Sequence, residues 1–350
     1  MALIIGFLLL TILSYISVIC IRRLALRRQI IDQPKERSSH SIPMPRGGGL
    51  AIVVLVLLTS LWFAYQTELS RSLTYIVLGA VLAWVGWRDD IYSLSPSFRF
   101  LVQGLIAIIS ILLMGYFRVV RIPMIGDVNL DVIGIVITFL WIIGMINAYN
   151  FMDGIDGLAG GVALSAGLCW MVLSSNVRNP FVFWVALSIA ASSLGYLGHN
   201  WPPAKIFMGD VASTFLGYSF AVLPLVAADQ SGDALTIGTL LMWTVIIDPG
   251  ATFIGRLLRR ENIFSRHRFH LFQRLVMSGY KQGAVSFLYI LLTLLAGYLT
   301  YMWSHGNQIA SLFIFLGLPL IWILLSLHAA RLRDAASASS EQIGSLADDN

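Results

Sequence analysis

Apolar runs of about twenty residues, the length that crosses roughly 30 Å of hydrocarbon, recur along almost the whole chain and leave no room for a soluble domain between them. They fall at 2–21, 48–66, 72–87, 100–117, 132–148, 157–174, 180–198, 211–228, 234–255, 284–303 and 308–328. This pattern predicts an all-α polytopic membrane protein of eleven transmembrane helices, or ten if two runs merge or one drops out. The run at 72–87 is short enough to need tilt or local thinning of the bilayer. The first run begins at Met1 without a basic leader and ends in Arg22 and Arg23, not in a small-residue cleavage site, so it reads as a retained helix. Composition agrees: 57% of residues are hydrophobic and 12% charged, about half the charged share of a soluble domain. Residues 1–333 are expected to form a single integral-membrane domain, and 334–350, small and polar, a disordered cytoplasmic tail.

Charge settles the expected orientation. Alternating spans put 22–47, 88–99, 149–156, 199–210, 256–283 and the C-terminal tail on one side, and these segments carry 19 of the 23 Lys and Arg residues. The opposite loops hold only Arg71, Arg118, Arg121 and Arg178. Short loops rich in Lys and Arg stay in the cytoplasm, so the N-terminus is expected outside and the C-terminus inside. The net charge of +5 is then an orientation signal and an attraction for phosphates and anionic headgroups, not a nucleic-acid footprint. Cys20 and Cys169 lie in apolar runs without a spacing partner and imply neither a disulfide framework nor a zinc site.

Four polar clusters interrupt the apolar pattern, all on the expected cytoplasmic side. Asp89 and Asp90 sit side by side at the mouth of a span, where two carboxylates repel unless a cation or proton lies between them; the alternative is an interfacial helix stop. Asn147, Asn150, Asp153 and Asp156 recur every third residue, a stripe drifting by roughly 60° per step if the segment is helical. Gly154, Gly157, Gly160 and Gly161 would allow close approach to that backbone, although Asn and Gly also serve as packing glue in membranes. Asp210 precedes an apolar span, either as a plain N-cap or as a ligand, with Phe207 three residues earlier offering a flat apolar face. In the basic loop Arg256 to Lys281, Arg266, His267, Arg268 and His270 interleave at a density suited to gripping phosphate oxygens. Carboxylates and an amide beside a basic loop suit Mg²⁺, which takes few protein ligands and completes its shell with substrate phosphates. The layout is that of phosphoryl transfer.

Together these clusters resemble the polyprenyl-phosphate N-acetylhexosamine-1-phosphate transferases. The resemblance runs from Asp32 to Tyr280 through Asp32-Gln-Pro34, Ser39-His40, Pro43-Met-Pro45-Arg46-Gly47-Gly48-Gly49, Asp89-Asp90, the N-x-x-N-x-x-D-G-x-D-G run, Phe207-Met-Gly-Asp210 and the His/Arg loop. It implies helices around a cytosol-facing cleft in the bacterial inner membrane, entered by a UDP-N-acetylhexosamine from the cytosol and by undecaprenyl phosphate from the bilayer. It further implies Asp210 and Asn150 as ligands of Mg²⁺, with Mn²⁺ an allowed substitute, and Asp89 with Asp90 as the catalytic acids. Phe207 would stack on uracil, Asp153 and Asp156 would contact nucleotide or metal, Asn147 would bind substrate, Arg99 would contact the pyrophosphate, and Arg266, His267, Arg268 and His270 would hold sugar and pyrophosphate. The expected partners are those two substrates and the bilayer, with no nucleic acid and with a homodimer allowed. The expected reaction is the first membrane step of O-antigen or other surface-polysaccharide synthesis, by direct attack of the lipid phosphate or through an aspartyl-phosphate.

The Arg266-His267-Arg268-Phe269-His270 loop departs from the triple-His pattern of the muramoyl-pentapeptide enzyme, and Pro43-Met44-Pro45 replaces its Lys-bearing segment, so a peptidoglycan role is not expected. An intramembrane prenyltransferase would need an acid one turn after Asp89-Asp90, where Ile91-Tyr-Ser-Leu-Ser95 stands. A secondary transporter would need its ionisable site near the midplane, where only Asp248, given no role by these motifs, looks deep.

Overall fold

The computed structural model describes residues 1–34, 42–65, 69–177, 179–227, 233–258 and 270–332. The apolar runs become the helices α1 (Ala2–Arg28), α2 (Leu50–Ala64), α3 (Leu69–Tyr92), α4 (Pro96–Met114), α5 (Ile133–Met152), α6 (Leu158–Val177), α7 (Pro180–Asn200) and α8 (Asp210–Ala227). After these come α9 (Ala234–Leu241), α10 (Trp243–Leu258), the short α11 (Leu271–Met277), α12 (Gln282–Ser304) and α13 (Gln308–Leu332), which is π-helical at Phe313–Gly317. Several begin where local chemistry dictates. Ser95 accepts the Phe98 N–H at 3.3 Å ahead of Pro96 in α4, and Asn179 accepts the Phe181 N–H at 3.1 Å ahead of Pro180 in α7.

Among the described residues, eight helices are long and apolar enough to cross a membrane, or nine if α9 and α10, bent by 69°, count as one span. The protein is therefore a multi-pass α-helical membrane protein, while the expected count of eleven is not reached by this measure. The shortfall lies in α2 and α6, whose apolar lengths are shorter. Both nevertheless carry the chain between the same two ends of the bundle. Gly48 and Gly49, ahead of α2, hydrogen-bond to Phe207 and Met208, and α3 returns the chain to Asp90 beside Asp210. Gly157, ahead of α6, donates to Asn200 at the end of α7.

Two small antiparallel ladders supplement the helices. β1 (Ile31–Asp32) pairs with β2 (Met44–Pro45), with Ile31 opposite Pro45, and a hairpin of β3 (Val119–Ile122) and β4 (Gly126–Asn129) closes the far end. There Arg121 pairs with Asp127 at 2.7 Å and with Asp233 at 3.2 Å.

Lipid is as apolar as a leucine core, so packing here relies on close backbone approach and hydrogen bonds between helices. α8 is the axis, 94% of its span buried against 11% for α1. Tyr75 meets Ser219 at 2.9 Å, Tyr218 meets Ser110 at 3.2 Å, and the Trp141 indole donates to the Ala221 carbonyl at 2.9 Å. On the outer side Ser14 of α1 donates to the Ser192 carbonyl at 2.6 Å, where a side chain at Gly195 would collide with Thr11.

Candidate active site

One end of the bundle gathers the ends of α3, α5 and α7 and the starts of α2, α4, α6, α8 and α12. The glycine run after Arg46 explains how. Gly48 and Gly49 donate their N–H groups to the Phe207 and Met208 carbonyls at 2.9 and 3.0 Å, and the Phe207 N–H donates to the Pro45 carbonyl at 2.9 Å. A Cβ on Gly49 would lie 2.2 Å from Ala212 Cβ, one on Gly86 2.4 Å from the Asp210 carbonyl oxygen, and one on Gly209 2.5 Å from Asp90 Oδ2. Three glycines on separate segments thus let the α2 entry, α3 and the 207–210 turn close on one another. Gly209 also holds a φ of +83°, a conformation that favours glycine.

Asp210 is the hub. It opens α8 as the first helical residue, preceded by Gly209, so it is not the helix's N-cap. Its Oδ1 accepts from Arg46 Nη2 and from Asn150 Nδ2, each at 2.9 Å. Asn150 is steadied by a second bond from Nδ2 to Ser213 Oγ at 2.8 Å. Asp210 Oδ2 lies 3.7 Å from Arg99 Nη1, and the Asp89 carboxyl is within hydrogen-bonding reach. Asp89 takes Arg99 Nη1 at 2.8 Å and the Leu94 N–H at 2.6 Å. Arg99 therefore spans the two acids.

Asp90 lies behind this face. Its oxygens accept the Asp210 and Val211 N–H groups at 2.8 and 3.1 Å and Arg46 Nε lies 2.9 Å from Oδ1, with the side chain fully enclosed. Asp153 receives the Gly209 N–H. Burial pushes its carboxyl up to about 8, the Arg46 charge opposing this and the charges of Asp210 and Asp90 adding to it. Arg46 is pulled both ways. Burial disfavours its charge, but Asp210, Asp90, Asp153 and Asp32 outweigh that and hold the guanidinium above its ordinary range.

The expected helical stripe breaks. α5 ends at Met152, and Asp153 and Asp156 lie in a loop closed by Gly157, which has a φ of +78°. Asn147 sits a turn earlier in α5, donating to Gln103 Oε1 at 2.7 Å and to the Ile143 carbonyl at 2.8 Å. Asp156 stitches loops together: Oδ2 accepts the Ala204 N–H at 2.8 Å and its carbonyl accepts from Ser286 at 2.7 Å. Phe207 is half-buried, its backbone held by the 45–48 segment.

His270 heads α11, stacked on Phe272 and Phe151 with ring centroids 5.7 Å away in each case, and Phe272 rests against Gly154. Burial lowers the imidazole below its ordinary value, against the pull of Asp248. Asp248 explains itself here, both carboxylate oxygens lying 2.9 Å from the Leu271 N–H that starts α11. Arg266, His267, Arg268, the Ser39-His40 pair and the tail lie outside the described residues.

Sequence reasoning assigned no role to Arg46, although a lone arginine ahead of three glycines at a span entry was the available signal. Among the described residues, no three His, Cys, Asp or Glu side chains form a ready-made metal cage. Asp210 instead supplies hard carboxylate oxygens with the side-chain amide of Asn150 beside it, its Nδ2 facing Asp210 and its oxygen available on rotation of the amide, a donor set that fits a Mg²⁺ ion completed by substrate.

Residues 72–228 match the family model described as glycosyl transferase family 4. The probable undecaprenyl-phosphate N-acetylglucosaminyl 1-phosphate transferase of Bacillus subtilis (strain 168) is 34% identical over 266 residues, 74% of this chain and 73% of that one. The decaprenyl-phosphate N-acetylglucosaminephosphotransferase of Mycobacterium tuberculosis (strain ATCC 25618 / H37Rv) is 30% identical, covering 78% of this chain and 76% of its own. The undecaprenyl-phosphate alpha-N-acetylglucosaminyl 1-phosphate transferase of Yersinia pestis is 28% identical, covering 82% and 80%. With the acids and arginines gathered at the motifs that suggested it, the chain belongs to the polyprenyl-phosphate N-acetylhexosamine-1-phosphate transferases of glycosyl transferase family 4.

Proposed function

We propose that this enzyme transfers N-acetylhexosamine 1-phosphate from a UDP-sugar to undecaprenyl or a related polyprenyl phosphate, releasing UMP, with Mg²⁺ as its cation. The observation that carries the reading is the Asp89–Arg99–Asp210–Arg46 cluster at one end of an apolar bundle, where a polar head and a lipid tail can be held together. Asp210, with the Asn150 amide beside it, would hold the cation, which when bound would neutralise charge on the transferring phosphate. Asp89 would orient the lipid phosphate and take its proton where one is present. A lipid phosphate oxygen attacks the β-phosphorus of the donor, a new P–O bond forms, and the bond to UMP breaks with its electron pair leaving on the α-phosphate. Arg99 is placed between the two acids to meet charge that develops on the phosphate oxygens. The full enclosure of Asp90 argues against it as the nucleophile of a two-step route. Phe207, half-buried at the rim, suits stacking on uracil.

N-acetylglucosamine is the sugar favoured, since the names of the three relatives carry it. The Lys/Arg bias supports an N-terminus outside with the C-terminus and site in the cytoplasm, and the bacterial relatives favour an inner-membrane enzyme at the first step of O-antigen or another surface polysaccharide. The test is to incubate purified protein with polyprenyl phosphate, Mg²⁺ and a panel of UDP-N-acetylhexosamines and to follow UMP. Release with UDP-N-acetylglucosamine is expected. A folded sample that releases UMP from none of the donors would refute the assignment.

A further inference from the structure

Arg46 is built into this site in a way that its neighbours do not require for packing alone. Its Nε is tied to Asp90, a carboxylate that cannot move, because it is fully enclosed and already holds the first two N–H groups of α8. Its other end reaches Asp210 Oδ1, the oxygen on which Asn150 also converges. The Arg46 side chain is 29% exposed, against 13% for Asp210 and none for Asp90, so Arg46 is the most open member of the trio. Asp89, Asp90 and Asp210 set three acids in ion pairs with Arg46 and Arg99. A dication on Asp210 would displace a positive group from the oxygen it takes.

We propose that Arg46 is a phosphate-binding residue that serves as the counter-ion of Asp210 while the site holds no cation. When a divalent cation takes Asp210, the guanidinium keeps its Nε on Asp90 and turns its terminal nitrogens onto a phosphate oxygen of the substrate. The planar fork suits this double duty, since it can hold a carboxylate with one edge and a phosphate with another, which an ammonium cannot do. Both reactants of the transferase reading, on which this inference rests for its substrate, bring phosphate: the donor as a pyrophosphate and the acceptor as a lipid headgroup.

The test compares wild type with Arg46→Gln and Arg46→Lys in one detergent, reading the thermal midpoint, MgCl₂ affinity by calorimetry without nucleotide, and KM for UDP-N-acetylglucosamine and for polyprenyl phosphate. Arg46→Gln is expected to bind Mg²⁺ about threefold tighter or better, because the competing charge is gone, and to raise one KM roughly tenfold. The KM that rises identifies the donor pyrophosphate or the lipid phosphate as the ligand. Arg46→Lys should restore the midpoint and a near-normal Mg²⁺ affinity while leaving that KM raised. A folded Arg46→Gln with unchanged or weaker Mg²⁺ binding, or with both KM values unchanged and only the midpoint lowered, would make Arg46 a structural clamp and overturn the proposal. If Arg46→Gln does not fold, an unaltered KM in Arg46→Lys overturns it equally. Wild type without UMP release would defeat the transferase reading, whereas the Mg²⁺ comparison would still judge the counter-ion role.

Discussion

Asp90 caps the helix that Asp210 begins: its oxygens accept the Asp210 and Val211 N–H groups at 2.8 and 3.1 Å from a helix 120 residues earlier in the chain. A capping side chain normally comes from the residue just before the helix. Here that place is taken by Gly209, whose missing side chain makes room for the borrowed carboxylate. The metal-binding candidate is therefore aimed by an acid that does not itself face the cleft.

Asp90→Ala should be a stability variant first. It removes an enclosed ion pair to Arg46 and two N–H acceptors at once, a loss of about 3 kcal/mol or more. Denaturant unfolding in detergent would read this. A midpoint equal to wild type, together with lost turnover, would return Asp90 to direct chemistry.

Asp210→Ala and Asp89→Asn should each abolish UMP release, through different losses. Only the Asp210 change is expected to weaken Mg²⁺ binding, because Asp210 is the hub on which Asn150, Arg46 and Arg99 converge, whereas Asp89 is held from outside by Leu94 and Arg99. Calorimetric titration with MgCl₂ distinguishes them, and the reverse pattern would exchange their roles.

Asp153 carries a pH signature. Its carboxyl stays protonated in the fold up to about 8, while in the unfolded chain it ionises near the ordinary carboxylate value of about 4. Between those values unfolding releases a proton, so this group lowers stability as pH rises from 4 to 8 and adds no further slope above. Thermal midpoints between pH 5 and 9 in EDTA should decline less steeply for Asp153→Asn than for wild type. Parallel curves would mean that the carboxyl is ionised throughout.

Adding a methyl group at the glycines of the cluster separates packing from conformation. Gly49→Ala and Gly86→Ala would each place Cβ within 2.4 Å of a neighbour, on Ala212 and on the Asp210 backbone. Each should cost about 1–3 kcal/mol or more and lower turnover by shifting Asp210. Gly104→Ala in α4, where a Cβ meets nothing within 4 Å, is the control and should hold or raise stability. Equal midpoints for all three would show that the cluster has slack.

The bundle was legible in the chain because a hydrocarbon solvent forces about twenty consecutive apolar residues into each crossing. Each of the eleven apolar runs contains helix among the described residues, even where length leaves the span count at eight or nine. The cluster was legible for the same reason, since acids at span ends are conspicuous when nearly everything around them is apolar. What the pattern missed was where helices stop. The stripe from Asn147 to Asp156 lines one face only if the segment is helical throughout, and α5 ends at Met152.

Sequence by itself determined the solvent of this protein, the segments that cross it and the short list of polar side chains gathered at one end, all local consequences of hydropathy and charge. The tertiary structure decided what each of them does. Asn147 bonds to Gln103, Asp156 ties loops together, Asp248 anchors α11, and Arg46, part of a motif but without a role there, bridges Asp90 and Asp210. A carboxylate's role depends on which donor stands 3 Å away, and those donors come from segments up to 164 residues distant in the chain. Spacing along a sequence does not encode that proximity; the packing of glycine-lined helices does.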